Sequence, residues 1–210
     1  TMKEYNEYCG AVNLGILSST TVSEKINVKL YILLGVAVFF VLGICGAILL
    51  GRIQDFVEYL FFTEQSLEMP NRTACDLFIK NNTNNVLPDN TVCVVVEIAN
   101  LSQINAAFGR ERGNEMMRKF AEFLKEASAT CGTVYYNGGQ QFIGFFEQCR
   151  REDAESFADY FHRLVRSYNE ESDEVKFEYN LGLAESRTNN AHSIRILLRE
   201  ALRSKTKQEG

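Results

Sequence analysis

Two histidines among 210 residues, and no CxxC pair among six cysteines, leave little from which to build a zinc site or a histidine-based pH sensor. An excess of positive charge is also missing. Lys and Arg number 22 against 27 Asp and Glu, a net charge of −5, which argues against a dedicated DNA- or RNA-binding face. The chain has no GxSxG, HExxH, Walker loop or GxGxxG, and neither His162 nor His192 has a nucleophile beside it in sequence. No catalytic residue, metal ligand or bound cofactor is therefore expected. Apolar residues at 46% and charged residues at 23% exclude collagen-like, low-complexity and wholly disordered chains. The cysteines (Cys9, Cys45, Cys75, Cys93, Cys131, Cys149) show neither a zinc-knuckle nor a disulfide spacing, and read as free thiols of a reducing compartment.

One long apolar run is present. Leu30 to Leu50 reads LYILLGVAVFFVLGICGAILL without a charged side chain. At about 1.5 Å per residue it spans roughly 31 Å, the thickness of a bilayer's hydrocarbon core. It starts too far in, and runs too long, for a signal-peptide core, so a transmembrane helix over 29–51 is expected. Lys25 and Lys29 on one side and Arg52 on the other leave the positive-inside rule nearly silent. Residues 1–28 form a polar to mixed flank, expected outside the cell, and Thr1 with Met2 behind it reads as a fragment boundary. After the span, Ile53, Phe56, Val57, Leu60 and Phe61 recur at helical spacing, which predicts a juxtamembrane helix over 52–69. With Gly43 and Ala47 as a small-xxx-small pair, span and stalk are the expected surface for self-association.

The remainder, 70–210, alternates. Pro70-Asn71 ends the stalk, a short helix follows, and NNTNNVLPDN (81–90) is a polar loop. TVCVVVEIA (91–99) reads as a buried strand. Helices are predicted over 101–107 and 112–128 about Gly109, then a hairpin about Gly138-Gly139, whose adjacent glycines suit positive φ. A helix at 151–169, a strand at 174–184 and a helix at 191–206 complete the order βααββαβα. The class is α+β, with helices on one face of a mostly antiparallel sheet, close to ferredoxin-like architecture.

Four segments in fixed order carry a resemblance: TEQSLEMPNR, VCVVVEIANLSQIN, FGRERGNEMM and YYNGGQQF. Together they resemble the GGDEF (diguanylate cyclase) family, with its entry motif DxLTGLPNR, its strand motif DxDxFKxxND, a G-H-x-x-G-D turn and a GG[DE]EF hairpin. The resemblance covers about residues 63–206 and implies a GGDEF-like fold, a cytoplasmic domain and a cyclic di-GMP signalling role. Position by position, it implies loss. Glu97 keeps a carboxylate where the family has its first metal-binding aspartate, but Ala99 stands for the second. Ser102 replaces the phosphate-touching lysine, Asn105 matches the guanine-reading asparagine, and Asn114 replaces the guanine-reading aspartate. Gly138, Gly139 and Phe142 survive in the signature, while Gln140 and Gln141 replace both acids. Tyr136 takes an arginine's place, and no RxxD inhibitory motif precedes the hairpin.

That family condenses two GTP molecules with Mg²⁺ held by carboxylates, and a glutamine carbonyl is a weaker, neutral ligand for this ion. The expectation is a membrane-anchored, catalytically inactive regulatory or protein-interaction module. Glu97, Asn105, Asn114, Gly138, Gly139 and Gln140 are the candidate remnants of a nucleotide site. Two alternatives stand beside it. One is a receptor that binds a guanine nucleotide or cyclic di-GMP without turnover. The other rests on AVNLGILSSTTVSEKINVKLYILLGVAVFFVLG, which loosely resembles the second membrane helix of polysaccharide co-polymerases, regulators of surface-glycan chain length.

Overall fold

The structure, a computed structural model, describes residues 28–188 and 191–209; the flank with Cys9 and most of the stretch compared with co-polymerases lie outside these. The chain divides into two units, 1–50 and 51–210. In the first, the apolar run lies in helix α1 (Val28–Phe62), 35 residues long, none of them buried. It is long and apolar enough to cross a membrane.

α1 ends at Phe62, eight residues before Pro70, and the predicted stalk over 63–69 is instead a small antiparallel hairpin of β1 (Thr63–Glu64) and β2 (Met69–Pro70). Asn71 explains the stop. Its backbone N–H donates to the Phe62 carbonyl at 2.8 Å and its side-chain amide to the Phe61 carbonyl at 2.8 Å, satisfying two acceptors that a longer helix would have used itself. The same side chain accepts from Ala74 N–H at 3.1 Å and so caps α2 (Arg72–Asn82).

The core sheet has five antiparallel strands in the order β4-β5-β3-β6-β7: β3 (Val92–Ile98), β4 (Thr133–Gly138), β5 (Gln141–Phe146), β6 (Glu178–Glu185) and β7 (Thr206–Glu209). β3 sits at its centre, between β5 and β6. Val92, Val94, Val96 and Ile98 join one buried cluster with α3 (Leu101–Ser128) and α4 (Arg151–Glu171). Cys93 and Val95 join another with α2 and α5 (Ile194–Arg203). Helices therefore cover both faces of the sheet, which corrects the one-faced arrangement expected. The signal lay in β3 itself, apolar at nearly every position instead of alternating, as a strand covered on both sides must be. On the α3–α4 face Phe120 is the hub, edge-on to Phe161 and tilted on Phe177, each at 5.2 Å.

Two further departures concern β6 and the C-terminus. Residues 174–177, expected in the strand, run alongside without pairing because side chains take their backbone groups: Asn169 accepts from Phe177 N–H at 2.7 Å and donates to Phe177 O at 2.9 Å, and Asn100 donates to Lys176 O at 2.7 Å. The helix expected over 191–206 runs only from Ile194 to Arg203, and Thr206–Glu209 pairs with β6 as the edge strand β7, which the sequence reading did not contain. The two segments about Gly109 form α3, with Gly109 at φ 86 and ψ 164 marking the break between them.

Candidate nucleotide cleft

Strand β3 ends at Ile98, and its tip meets the β4–β5 hairpin through the Ile98 N–H, which donates to Gln140 O at 3.0 Å. Gly138 (φ 96) and Gly139 (φ 64) make the turn. A Cβ at either would meet nothing within 4 Å, so the left-handed backbone, not crowding, is what requires glycine there. The break at Gly109 folds the second segment of α3 so that Gly113 faces Asn105. A Cβ on Gly113 would lie 1.9 Å from Asn105 Oδ1, which makes Gly113 the seat of that side chain.

Beside this turn lies a cleft of about 480 Å³. Of the six candidate residues, Asn105, Asn114, Gly139 and Gln140 line it, together with Ser102. Gly138 and Glu97 stand behind this wall: Gly138 pairs with Gln141 after a register shift in the ladder, and Glu97 reaches the cleft only through Gln140, whose amide donates to Glu97 Oε1 at 3.0 Å. The opposite wall went unread in sequence. Glu64, Ser66 and Leu67 come from the β1–β2 hairpin, held by Lys125 Nζ on Leu67 O at 3.1 Å. Arg118 also lines the cleft, one helical turn after Asn114, a spacing that could have pointed to it. Tyr136, in the arginine's place, donates to Gly139 O at 3.1 Å and braces the turn.

Glu97 has a second partner that no motif signals. Lys205, from the segment between α5 and β7, donates to Glu97 Oε2 at 2.5 Å, with both side chains about three-quarters withdrawn from solvent. That hydrogen bond, aided by the one from Gln140 and opposed by burial, holds the Glu97 carboxyl below its ordinary value near 4.5. Lys205 can come this close because Gly182 opposes it. A Cβ there would lie 2.1 Å from Ala201 O and 3.0 Å from Lys205 Cγ.

Mg²⁺ seeks anionic oxygens. At this tip the one carboxylate already neutralises an ammonium and the neighbouring side chain is a neutral amide, so the residues present do not fit a divalent cation. Among the described residues, no three His, Cys, Asp or Glu side chains gather where they could hold a metal ion.

An antiparallel sheet of this order, covered by helices on both faces and with a glycine turn at the rim of a cleft, defines an α+β domain of the diguanylate cyclase fold. The chain belongs to the GGDEF family: the family described as "Diguanylate cyclase, GGDEF domain" matches residues 66–208. Solved structures agree in fold. The coiled coil and GGDEF domain of DgcB from Caulobacter crescentus, in complex with c-di-GMP, is similar over 80% of this chain and 91% of that one, with TM-score 0.64 and 15% identity. Diguanylate cyclase SiaD from Pseudomonas aeruginosa, in complex with its activator SiaC, is similar over 97% and 78%, with TM-score 0.58 and 16% identity. The GGDEF domain of TpbB (YfiN) from the same organism covers 68% and 85%, with TM-score 0.58 and 15% identity. Comparison with curated proteins finds no match.

Proposed function

We propose that this chain is a membrane-anchored GGDEF domain that does not synthesise cyclic di-GMP and acts as a regulatory or protein-interaction module. The observation that carries the reading is the engagement of Glu97, the remaining carboxylate of the strand motif, by Lys205 and Gln140. With Ala99, Ser102, Gln140 and Gln141 in place of acids and a lysine, the motif positions themselves supply neither a free carboxylate for a metal nor a cation for a reacting phosphate. The domains follow the sequence: a flank over 1–28 outside, a span over 29–51, and the remainder in the cytoplasm. α1 supports the span, and Gly43 with Ala47 is the small-xxx-small pair proposed for a helix-to-helix contact. SiaD is a relative seen with a protein partner, which makes a protein ligand the natural expectation for a domain without turnover.

The test is incubation of the purified chain with GTP and Mg²⁺. No cyclic di-GMP is expected, and product that disappears with Glu97→Ala overturns the reading. Self-association in detergent, weakened by Gly43→Ile, is the expected companion result; a monomer indifferent to that change removes the span as the contact.

The cleft favours a second reading, a nucleotide receptor. Its lining keeps Asn105 and Asn114 as hydrogen-bonding groups and offers one guanidinium, Arg118, to a phosphate. A rise in melting temperature with GTP or cyclic di-GMP, lost in Asn105→Ala, selects this reading; no rise selects the protein-interaction module.

A further inference from the structure

At the end of the β4–β5 hairpin away from its glycine turn lies another cleft, of about 460 Å³. In the ladder Thr133 stands opposite Phe145, so Cys131, just before β4, and Cys149, just after β5, leave the hairpin at the same end. Both line the cleft, with Asp153 and Tyr160. Cys149 is fixed: its N–H donates to Asn90 O at 2.8 Å, the chain turns at Gln148 (φ 55), and the residue is 4% exposed. Cys131 is half-buried and opens towards the cleft, its Sγ 4.0 Å from Asp153 O. Cys149 Sγ donates to Arg150 O at 3.4 Å, so both sulfurs sit against the first turn of α4, and both thiols are free. Nothing in the nucleotide cleft or in its chemistry uses this pair.

We propose that Cys131 and Cys149 are a peroxide-oxidised thiol pair, Cys131 the residue that reacts first and Cys149 the one that resolves it. The order follows from access. Burial above all pushes the Cys149 thiol up to about 11, so it stays protonated at neutral pH, while Cys131 is the one a small oxidant reaches through the cleft. In the first step the Cys131 thiolate attacks one oxygen of a peroxide. The O–O bond breaks, sulfur is oxidised to a sulfenic acid, and the other oxygen leaves as hydroxide, which takes a proton to become water. In the second, Cys149 sulfur attacks the Cys131 sulfur, an S–S bond forms, and the sulfenic oxygen departs with the Cys149 proton as a second water. Two thiols are oxidised and one peroxide is reduced. The bridge would tie the entry of β4 to the start of α4 and close one wall of the cleft.

The test uses the full chain in detergent, treated with hydrogen peroxide, alkylated and mapped by peptide mass. Expected is the loss of two alkylatable thiols per chain, one Cys131–Cys149 linked peptide, and its disappearance with dithiothreitol. Cys75 and Cys93, which have no exposed surface, serve as internal controls that stay reduced. Cys149→Ser should leave Cys131 as a sulfenic acid trapped by dimedone, and Cys131→Ser should give neither bridge nor adduct. Both thiols alkylating fully after excess peroxide overturns the proposal, as does a bridge from either to another cysteine or between chains. The wild-type map decides alone if a serine variant fails to fold.

Discussion

In α1, Phe39 and Phe40 stand 76% and 65% exposed, whereas in the sheet domain Phe120, Phe142, Phe146 and Phe161 have no exposed surface. The residue type is the same and its environment is opposite. Burying one such side chain is worth about 1.5–3 kcal/mol relative to leaving it in water. The domain gains this from its own helices and strands, since these phenylalanines pack in one cluster between the sheet and α3 and α4. α1 gains none of it from the other described residues, and this is the energetic case for the bilayer proposed above. Composition alone does not separate the two regions. Periodicity and continuity do, because a helix apolar all round has no face reserved for water.

The largest way to sharpen the contrast is a pair of identical truncations. Phe120→Ala should remove about 3–5 kcal/mol of domain stability in urea unfolding, because the hub of the aromatic cluster becomes a cavity, while Phe39→Ala should leave the domain's midpoint unchanged. Equal losses would break the comparison. Next, Val41→Arg in α1 should cost about 2.5–3.5 kcal/mol of membrane insertion, seen as a shift of the chain out of the membrane fraction, with no change in domain melting. Retention in the membrane fraction would count against the span.

Two smaller effects probe the domain itself. Gly182→Ala should cost about 1–3 kcal/mol, since its Cβ would press on backbone at Ala201 and Lys205; a neutral result would show that the α5–β7 turn moves freely. Gly113→Ala presses only on the end of the Asn105 side chain, so stability should fall by under about 1 kcal/mol. Any thermal response to nucleotide should nonetheless vanish.

The smallest effect is a pH dependence. The Glu97 carboxyl is lowered in the folded chain by Lys205, so its contribution is fully present above the ordinary value near 4.5 and is lost as pH falls through the lowered folded value. Wild type should therefore lose its advantage over Glu97→Gln only in acid, by an amount of about 1 kcal/mol or less, as partly exposed pairs are worth. An advantage that grows as pH falls would mean that Lys205 is not the partner.

How much of this was legible in sequence depended on whether a feature repeats locally. The strand β3, the hairpin at Gly138-Gly139 and the break at Gly109 announce themselves through β-branched runs and paired or isolated glycines. Asn105, Asn114 and Gln140 were found because they stand in motif positions. What stayed hidden depends on contacts distant in sequence. Lys205 meets Glu97 across more than a hundred residues, and TKQE carries no strand pattern, since β7 is held by pairing with β6 instead of by its own apolar face. The β1–β2 hairpin was hidden for a different reason: helical spacing up to Phe61 gave no sign that Asn71 would intercept the helix's last carbonyls. Residues 174–177 read as strand because they alternate, and side chains of Asn100 and Asn169 took their hydrogen bonds.

Asn71 also has a mechanical consequence. One residue holds the Phe61 and Phe62 carbonyls at the end of one helix and the first turn of the next, with only the short β1–β2 loop between its two grips. Of these holds on α1, one comes from the Asn71 backbone N–H and survives any substitution but proline, while the other belongs to the carboxamide that also caps α2, so a change at this one side chain loosens the end of one helix and the start of the next together.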